Sequence, residues 1–347
     1  MARKSKKLSE LILGNSYVKD VWAEYADPML IPKHYVSRFD DKQGRRFYYF
    51  TVDYVVIISA GATTVFGAVS VERTAIDQWK DNNPNWKQLL NISSEFGTLE
   101  HIVYGDILWK KKIDKQNLIT MQQILMSNGG DIDMPIKDVL AFYKFREDYQ
   151  LIPLLIEASL AYQDPITGSW LTMTIDFLCK MVVTTKVKKE VLVGQYSRGD
   201  KKGQDKYETV TEEIKEERIV VIDFKSNFFD KSKKSFYEVH KMQLMAAKLA
   251  VEQNFDLKVD GVYNYAPNSW QTQPSYTLYE HKLTDEDWTV FNAYWNLAQV
   301  KKINIPSGKF LLADNPKDST DFRILSYEEY VKEKLIKEED ENRKTTD

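Results

Sequence analysis

One stretch of the chain, residues 217–226 with the sequence ERIVVIDFKS, constrains the fold more than any other. Its four consecutive apolar residues are typical of a central strand that is buried on both faces and that ends in polar groups. Residues two apart in a strand point to the same face, so Asp223 and Lys225 project together. We therefore expect an α/β fold in which a mixed central β-sheet is flanked by helices and presents two ionisable side chains at one point.

The pair formed by Asp223 and Lys225 suits a particular chemistry. A carboxylate binds a hard divalent cation through oxygen, and a lysine beside it orients water or stabilises negative charge that develops on phosphate. Hydrolysis of a phosphodiester needs both groups. Taken alone, the pair has a commoner explanation, which is a salt bridge at the end of a strand.

A strand, turn, strand pattern precedes this run. The segments LIPLLIEASLAY at 151–162 and SWLTMTIDFLCK at 169–180 flank a turn that contains proline and glycine. In the second segment Asp176 shares a face with Thr174, which places an acid on a half-polar face. If this strand pairs with the one that carries Asp223, two carboxylates converge, and a shared Mg²⁺ or Mn²⁺ relieves their repulsion. The alternative is a solvated aspartate on an edge strand.

Other segments indicate the remaining elements. Aromatic and β-branched residues at 46–60 favour a strand that the sequence GATT then ends. A cap at Ser93 or Ser94 predicts the start of a helix that carries EFGTLEHIVYGDILW. Further helices are expected at about 235–254 and after Thr284, with two aromatic strands between them.

The chain divides into three parts. Residues 1–45 are expected to form an N-terminal arm and lead-in, residues 46–326 the α/β domain, and residues 327–347 a charged C-terminal tail. Within the domain, residues 184–218 are dominated by charge, which predicts a long exposed hairpin or a partly disordered insertion. Its lysines could contact a nucleic-acid backbone, or the segment could be a solvated loop.

Composition excludes several classes of protein. Acidic residues outnumber basic ones by 51 to 48, so any contact with nucleic acid must come from a local patch rather than from the net charge of -3. Cys179 is the only cysteine, so the chain cannot form an internal disulfide or ligate an iron–sulfur cluster. No apolar run approaches the roughly 20 residues of a membrane span, and the first residues lack a signal-peptide pattern. We expect a cytoplasmic protein with no membrane partner.

The order of the motifs resembles the RecB-like branch of the PD-(D/E)XK nuclease superfamily over roughly residues 45–300. The matching elements are GTLEH at 97–101 for the helical G-x-x-x-H element, Asp176 for the second-motif aspartate, IDFK at 222–225 for the D-x-K strand, and QLMAAKLA from Gln243 for the helix that follows. Upstream, ISAGATTVFGAV and Trp79 resemble a segment common in phage-type exonucleases.

The resemblance implies a restriction-endonuclease-like core and a set of site residues. The metal would be Mg²⁺ or Mn²⁺, and its ligands would be His101, Asp176, Asp223 and the backbone carbonyl of Phe224. Lys225 would be the catalytic lysine, and the Gln243 amide would hydrogen-bond that lysine or its water. Glu157 matches an acidic position in many relatives and would touch a second metal. Without the resemblance, His101 would be interpreted as a polar residue of a helix, Gln243 as a residue on a helix surface, and Glu157 as a solvated acid at the end of a strand.

The sequence also departs from the pattern of the family. Ala247 stands where the family helix usually has tyrosine, and Met173 and Thr174 replace a glycine that often precedes the second-motif aspartate. Neither change removes a metal ligand. The insertion at 184–218 separates two strands that are usually joined tightly, which affects access of the substrate rather than the chemistry.

The resemblance implies a metal-dependent DNA exonuclease of phage-type replication or recombination. Its substrate would be DNA with free ends, and a recombination or replication protein would be a partner. Two rivals use the same fold. A structure-specific or site-specific endonuclease would cut closed circles, whereas a catalytically silent DNA-binding scaffold would lack the metal-binding response that an apo titration measures.

Overall fold

The computed structural model describes residues 18–19, 25–40, 46–53, 55–70, 79–109, 112–195, 197–201, 204–226, 235–303, 309–313 and 322–326. The strands are β1 (Val18–Lys19), β2 (Tyr25–Ala26), β3 (Ser37–Asp40), β4 (Arg46–Val52), β5 (Val55–Ala60), β6 (Ile152–Gln163), β7 (Trp170–Gln195), β8 (Asp205–Phe224), β9 (Gly261–Pro267), β10 (Tyr276–Glu280), β11 (Lys309–Ala313) and β12 (Phe322–Ser326). The helices are α1 (Ala62–Val69), α2 (Trp86–Leu108), α3 (Lys115–Ser127), α4 (Met134–Asp148), α5 (Glu238–Phe255) and α6 (Asp285–Val300). The α/β class predicted from the sequence is confirmed.

The described strands form two sheets. The first sheet has the order β1-β3-β4-β5-β11-β12, and the second has the order β10-β9-β8-β7-β6-β2. The predicted central strand is β8 of the second sheet. The pair β8 and β9 is parallel, and its crossover runs through α5; the other pairs of the second sheet are antiparallel, so this sheet is mixed. Val220, Val221 and Ile222 of β8 are buried, as the run of apolar residues predicts.

Helices cover both faces of the second sheet. One apolar cluster joins α1, α5 and α6 to the sheet through residues that include Val221 of β8. A second cluster joins α2, α3 and α4 to the opposite face through Val220 and Ile222. Because successive residues of β8 enter opposite clusters, the strand is buried on both sides. No helix within the described ranges combines the length and apolarity that crossing a membrane requires.

Local boundaries differ from the sequence prediction in two places. The predicted cap at Ser93 or Ser94 is wrong, because α2 already begins at Trp86 and both serines lie inside it. The sequence GATT ends β5 as predicted but opens α1 directly after Gly61. The cap at Thr284 is confirmed, since its side chain accepts a hydrogen bond from the backbone N–H of Asp287.

Of the two outcomes predicted for residues 184–218, the described residues of this range form the long hairpin. The strands β7 and β8 stay paired from Phe177 with Ile222 out to Gln195 with Asp205, and most side chains beyond Thr184 are exposed. Parts of the N-terminal lead-in are strands of the sheets. Residues 25–26 form β2 in the second sheet, and residues 37–40 form β3 in the first sheet. The C-terminal tail at 327–347 lies outside the described residues.

Candidate metal centre

A row of polar side chains crosses the middle of the second sheet. The pairs Ile156–Phe177 and Ala158–Ile175 flank Glu157 of β6 and Asp176 of β7, and the last pair of β7 with β8, Phe177–Ile222, adjoins Asp176 and Asp223. In the next strand Asn264 pairs with Asp223. Neighbouring strands lie about 5 Å apart, so this register brings three carboxylates into one row.

The sheet opens at this row, and Asp176 marks the opening. Pairing between β7 and β8 ends with Phe177 and Ile222, one residue before the two aspartates. The Oδ2 atom of Asp176 then accepts a hydrogen bond of 2.7 Å from the backbone N–H of Phe224. This bond satisfies a backbone donor that the ladder no longer pairs, and it fixes the carboxylate at the fork.

Glu157 adopts a backbone conformation that few side chains tolerate. Its φ angle is 53°, in the left-handed region, although the residue lies within a strand. Such strain costs on the order of 1–3 kcal/mol and is concentrated at functional sites. It interrupts the pairing with β7 at the position of the carboxylate row.

Helix α2 brings His101 to two of these acids. The Nδ1 atom of His101 lies 2.8 Å from Oε1 of Glu157 and 3.9 Å from Oδ1 of Asp176. Donor atoms of these three residues lie within 4.8 Å of one another, so the group could hold a metal ion. One helical turn earlier, a Cβ atom placed on Gly97 would be 3.7 Å from the Cβ of Ser226, so the small residue lets the helix approach the end of β8 closely.

The charges within this group favour a cation. Burial by itself would lower the pKa of His101, but the charge of Asp176 and the contact with Glu157 raise it to about 9. Burial raises the pKa of Asp176 to about 7, with a further contribution from Asp223 and an opposing one from His101. In the absence of metal, the imidazolium therefore supplies the positive charge that the carboxylates require.

Asp223 stands outside this group because its oxygens are held elsewhere. Lys225 Nζ lies 2.8 Å from its Oδ1 and 2.7 Å from its Oδ2. Burial would lower the pKa of Lys225, but the charges of Asp223 and Asp176 raise it above the ordinary value, so the ammonium keeps its proton. Of the expected ligands, His101 and Asp176 come together with Glu157, whereas Asp223 lines the same cleft but lies outside that group.

Two residues that the sequence did not single out support Asp223. The amide nitrogen of Asn264 donates to Oδ2 of Asp223, and the Oδ1 atom of Asn264 lies 2.7 Å from Nε2 of His281. Burial lowers the pKa of His281 to about 4, so its imidazole is neutral and donates its Nε2–H to Asn264. The pair is far apart in sequence, and Asn264 is one polar residue in an aromatic strand, so no local pattern indicates the contact.

A cleft of about 1110 Å³ opens over the candidate metal centre. His101, Glu157, Asp176, Asp223, Phe224, Lys225 and Gln243 line it, together with Ala247, Trp79 and the basic residues Arg38 and Arg46. The amide of Gln243 makes no hydrogen bond to Lys225 in the described part of the chain, so its expected role stays a prediction. His240 caps α5, since its Nδ1 accepts from the backbone N–H of Tyr237.

The donor set fits a hard divalent cation. One imidazole nitrogen and several carboxylate oxygens suit Mn²⁺ and related ions, and Mg²⁺ is served by carboxylates and water. No known protein family model matches the chain, and no curated protein sequence matches it. Any function must therefore be argued from this geometry.

Proposed function

We propose that this protein is a metal-dependent deoxyribonuclease with a PD-(D/E)XK, restriction-endonuclease-like core, which degrades DNA from free ends. One observation carries the proposal. The group formed by His101, Glu157 and Asp176 lies at the fork of β7 and β8, beside the ion pair of Asp223 and Lys225. A metal-binding set next to a protonated lysine at the end of a buried strand is the arrangement that phosphodiester hydrolysis needs.

Each residue has a role that follows from its contacts. His101, Glu157 and Asp176 would hold Mg²⁺ or Mn²⁺, and Asp223 and the carbonyl of Phe224 lie on the adjoining strand end. The metal would lower the pKa of a bound water and offset charge on the phosphate. Lys225 keeps its proton, so it acts as a positive charge that positions the water and stabilises the transition state, not as the base.

The shape and charge of the cleft support DNA as the substrate. Arg38 and Arg46 line the same cleft as the carboxylates, so the cleft itself carries positive charge on a protein whose net charge is negative. A protein with little overall positive charge must confine its substrate locally. We infer that a DNA terminus enters the cleft, with replication or recombination in a phage-type setting as the context and the host cytoplasm as the location.

The decisive experiment compares matched linear and closed circular DNA, with Mg²⁺, with Mn²⁺ and with chelator. Linear DNA should be degraded progressively, closed circles should survive, and chelator should stop the reaction. Lys225→Met should reduce cleavage by at least about 1000-fold, whereas Lys258→Met, at an exposed lysine that does not line the cleft, should retain it.

Other outcomes of the same experiment separate the rivals. Rapid linearisation of circles that depends on Lys225 would replace the exonuclease with an endonuclease on the same site. If the protein binds DNA but cleaves no substrate in the presence of metal, it would be a catalytically silent DNA-binding scaffold.

A further inference from the structure

A two-stranded arm extends beyond the second sheet. It consists of residues 184–195 of β7 and 205–217 of β8, which pair with each other except for one irregularity near the tip. Lys180 is the last residue of β7 that pairs with β6, and Val220 is the first of β8 that pairs with β9, so no other described strand borders the arm. Two strands alone are at best marginally stable in water, so a partner that covers one face would stabilise the arm.

The two faces of the arm differ in polarity. Residues two apart along a strand point to the same side, and so do residues that pair directly across an antiparallel ladder. One side, called the apolar face below, carries four apolar side chains that are each between 39% and 48% exposed: Val187, Val191, Val210 and Ile214. The opposite side carries threonines and charged residues up to the pair of Leu192 with Tyr207 near the tip.

The apolar face continues a face of the sheet that is buried. Met181 of β7 points to the same side and is buried in the apolar cluster formed with α2, α3 and α4, and Val183 packs against that cluster. From Thr185 to Val191 every residue of this face is exposed, and so are the residues that pair with them on β8. Alternation of apolar and polar residues is the pattern of a strand with one buried face. The sequence of the arm thus specifies a buried face that a single copy of the described chain leaves exposed.

The charges of the arm indicate a second copy of the chain as the partner. Residues 184–195 of β7 include three lysines and one glutamate, whereas residues 207–217 of β8 include five glutamates and one lysine. The ion pairs within the described arm involve other residues and leave Lys189 and Glu212 without one, although both lie on the apolar face. A second arm offers the complementary charge to each of them, whereas DNA would be repelled by the glutamates.

We propose that two copies of this chain dimerise by packing the apolar faces of their arms against each other. In a dimer whose twofold axis runs along the arms, β7 of each copy lies over β8 of the other, about 10 Å away. The lysine-rich strand of each copy then faces the glutamate-rich strand of the other. A twofold axis across the arms would instead place β7 over β7, where like charges repel.

The register of the arm brings complementary side chains together in this arrangement. Val187 pairs with Glu212 of its own chain, and Lys189 pairs with Val210. The apolar residues of the two strands are therefore staggered along the arm, so the valines of β7 in one copy interleave with the apolar residues of β8 in the other. Lys189 of each copy lies beside Glu212 of the other, and symmetry makes these two ion pairs equivalent. Because a two-stranded ribbon twists strongly, the apolar face turns away from the side that α2, α3 and α4 cover, and the globular parts of the two copies need not overlap.

Sedimentation equilibrium of the full chain tests the proposal without DNA. The wild type should be a dimer with a micromolar or tighter Kd. Val187→Asp with Val210→Asp places charge on the apolar face and should weaken dimerisation at least about 100-fold. Thr209→Asp with Thr211→Asp, on the opposite face, is the matched control and should leave Kd unchanged. In each double variant one new aspartate pairs with a lysine and the other with a glutamate, so the effects on the hairpin itself are balanced.

Charge reversal tests which strands face each other. Lys189→Glu and Glu212→Lys should each weaken the homodimer about tenfold, because each places like charges at both ion pairs. A mixture of the two variants should form a heterodimer with a Kd close to that of the wild type. A mixture that dimerises no better than either variant alone would overturn the proposal. This test also holds if Val187→Asp with Val210→Asp fails to fold.

Two further results would contradict an arm that dimerises. One is a wild type that remains monomeric, and if Lys188→Met then weakens its binding to DNA, the arm contacts the substrate instead. The other is a Kd that the double variants on the two faces change equally. None of the arm residues lines the cleft, so dimerisation is measured independently of the proposed nuclease activity.

Discussion

The carboxylate of Asp176 accepts a hydrogen bond of 2.7 Å from the backbone N–H of Phe224, at the point where β7 and β8 separate. The Asp176 side chain therefore makes two contacts, because its Oδ1 atom lies 3.9 Å from Nδ1 of His101. One oxygen binds the backbone where the two strands separate, and the other belongs to the candidate metal centre. Substitutions that remove one contact and keep the other test the site most directly.

Asp176→Asn and Asp176→Ala should differ in stability but not in metal binding. Asparagine retains an oxygen that accepts from Phe224, so its Tm without metal should lie above that of the alanine variant by about 1–2 °C, the equivalent of one hydrogen bond. Both variants lose the carboxylate and should bind Mn²⁺ at least about 100-fold more weakly. Calorimetry and thermal unfolding measure the two effects. Equal Tm values would show that the bond to Phe224 does not support the fork.

Metal affinity should rise with pH because binding displaces protons. His101, with a pKa of about 9, must lose its proton to become a ligand, so affinity should increase about tenfold per pH unit between pH 7 and 9. Below about pH 7 Asp176 is also protonated, and the slope should steepen. Titration in two buffers of different ionisation enthalpy counts the protons released. His101→Ala should reduce the number of protons released at pH 8 without abolishing it, because loss of the imidazolium raises the pKa of Asp176 further. A flat profile in the wild type would contradict a protonated histidine.

Glu157→Gly should stabilise the chain at high pH while it weakens metal binding. Glycine accepts the left-handed backbone at this position without strain, so the free energy of unfolding should rise by about 1 kcal/mol when it is measured above pH 9, where His101 is neutral and its ion pair with Glu157 no longer contributes. Loss of the carboxylate should weaken Mn²⁺ binding at least about tenfold. Asp256→Gly is the matched control, because Asp256 has the same φ of 53° at the end of α5 and lies outside the metal centre. That control should gain stability and keep its affinity for metal.

Asn264 should act as a positioning residue for Asp223. Asn264→Leu leaves Oδ2 of Asp223 without its amide donor, and we expect kcat to fall about 10- to 100-fold with little change in KM. His281→Gln keeps a donor for Asn264 and should lose less activity than His281→Leu. A shifted pH profile of kcat in the Asn264 variant would distinguish positioning from general destabilisation. An unchanged profile with a lowered Tm would indicate a structural role alone.

The sequence by itself determined the central strand and the two ionisable residues at its end. Four apolar residues followed by D-x-K favour a strand that is buried on both faces, and the structure places Val221 and Ile222 in opposite apolar clusters. The hairpin at 184–218 and the cap at Thr284 were likewise predictable, because strand pairing of a contiguous segment and helix capping depend on neighbouring residues.

Only the tertiary structure decided which side chains meet. Glu157 contacts His101 at a point in β6 where the backbone of Glu157 itself is left-handed, and no local sequence pattern reveals such a φ angle. The contact of Asp223 with Asn264 depends on strand register, and that of His101 with Asp176 depends on the packing of α2 against the sheet. Residues far apart in the chain are brought together by the burial of apolar surface around them, so their pairing is a property of the packed core rather than of any segment.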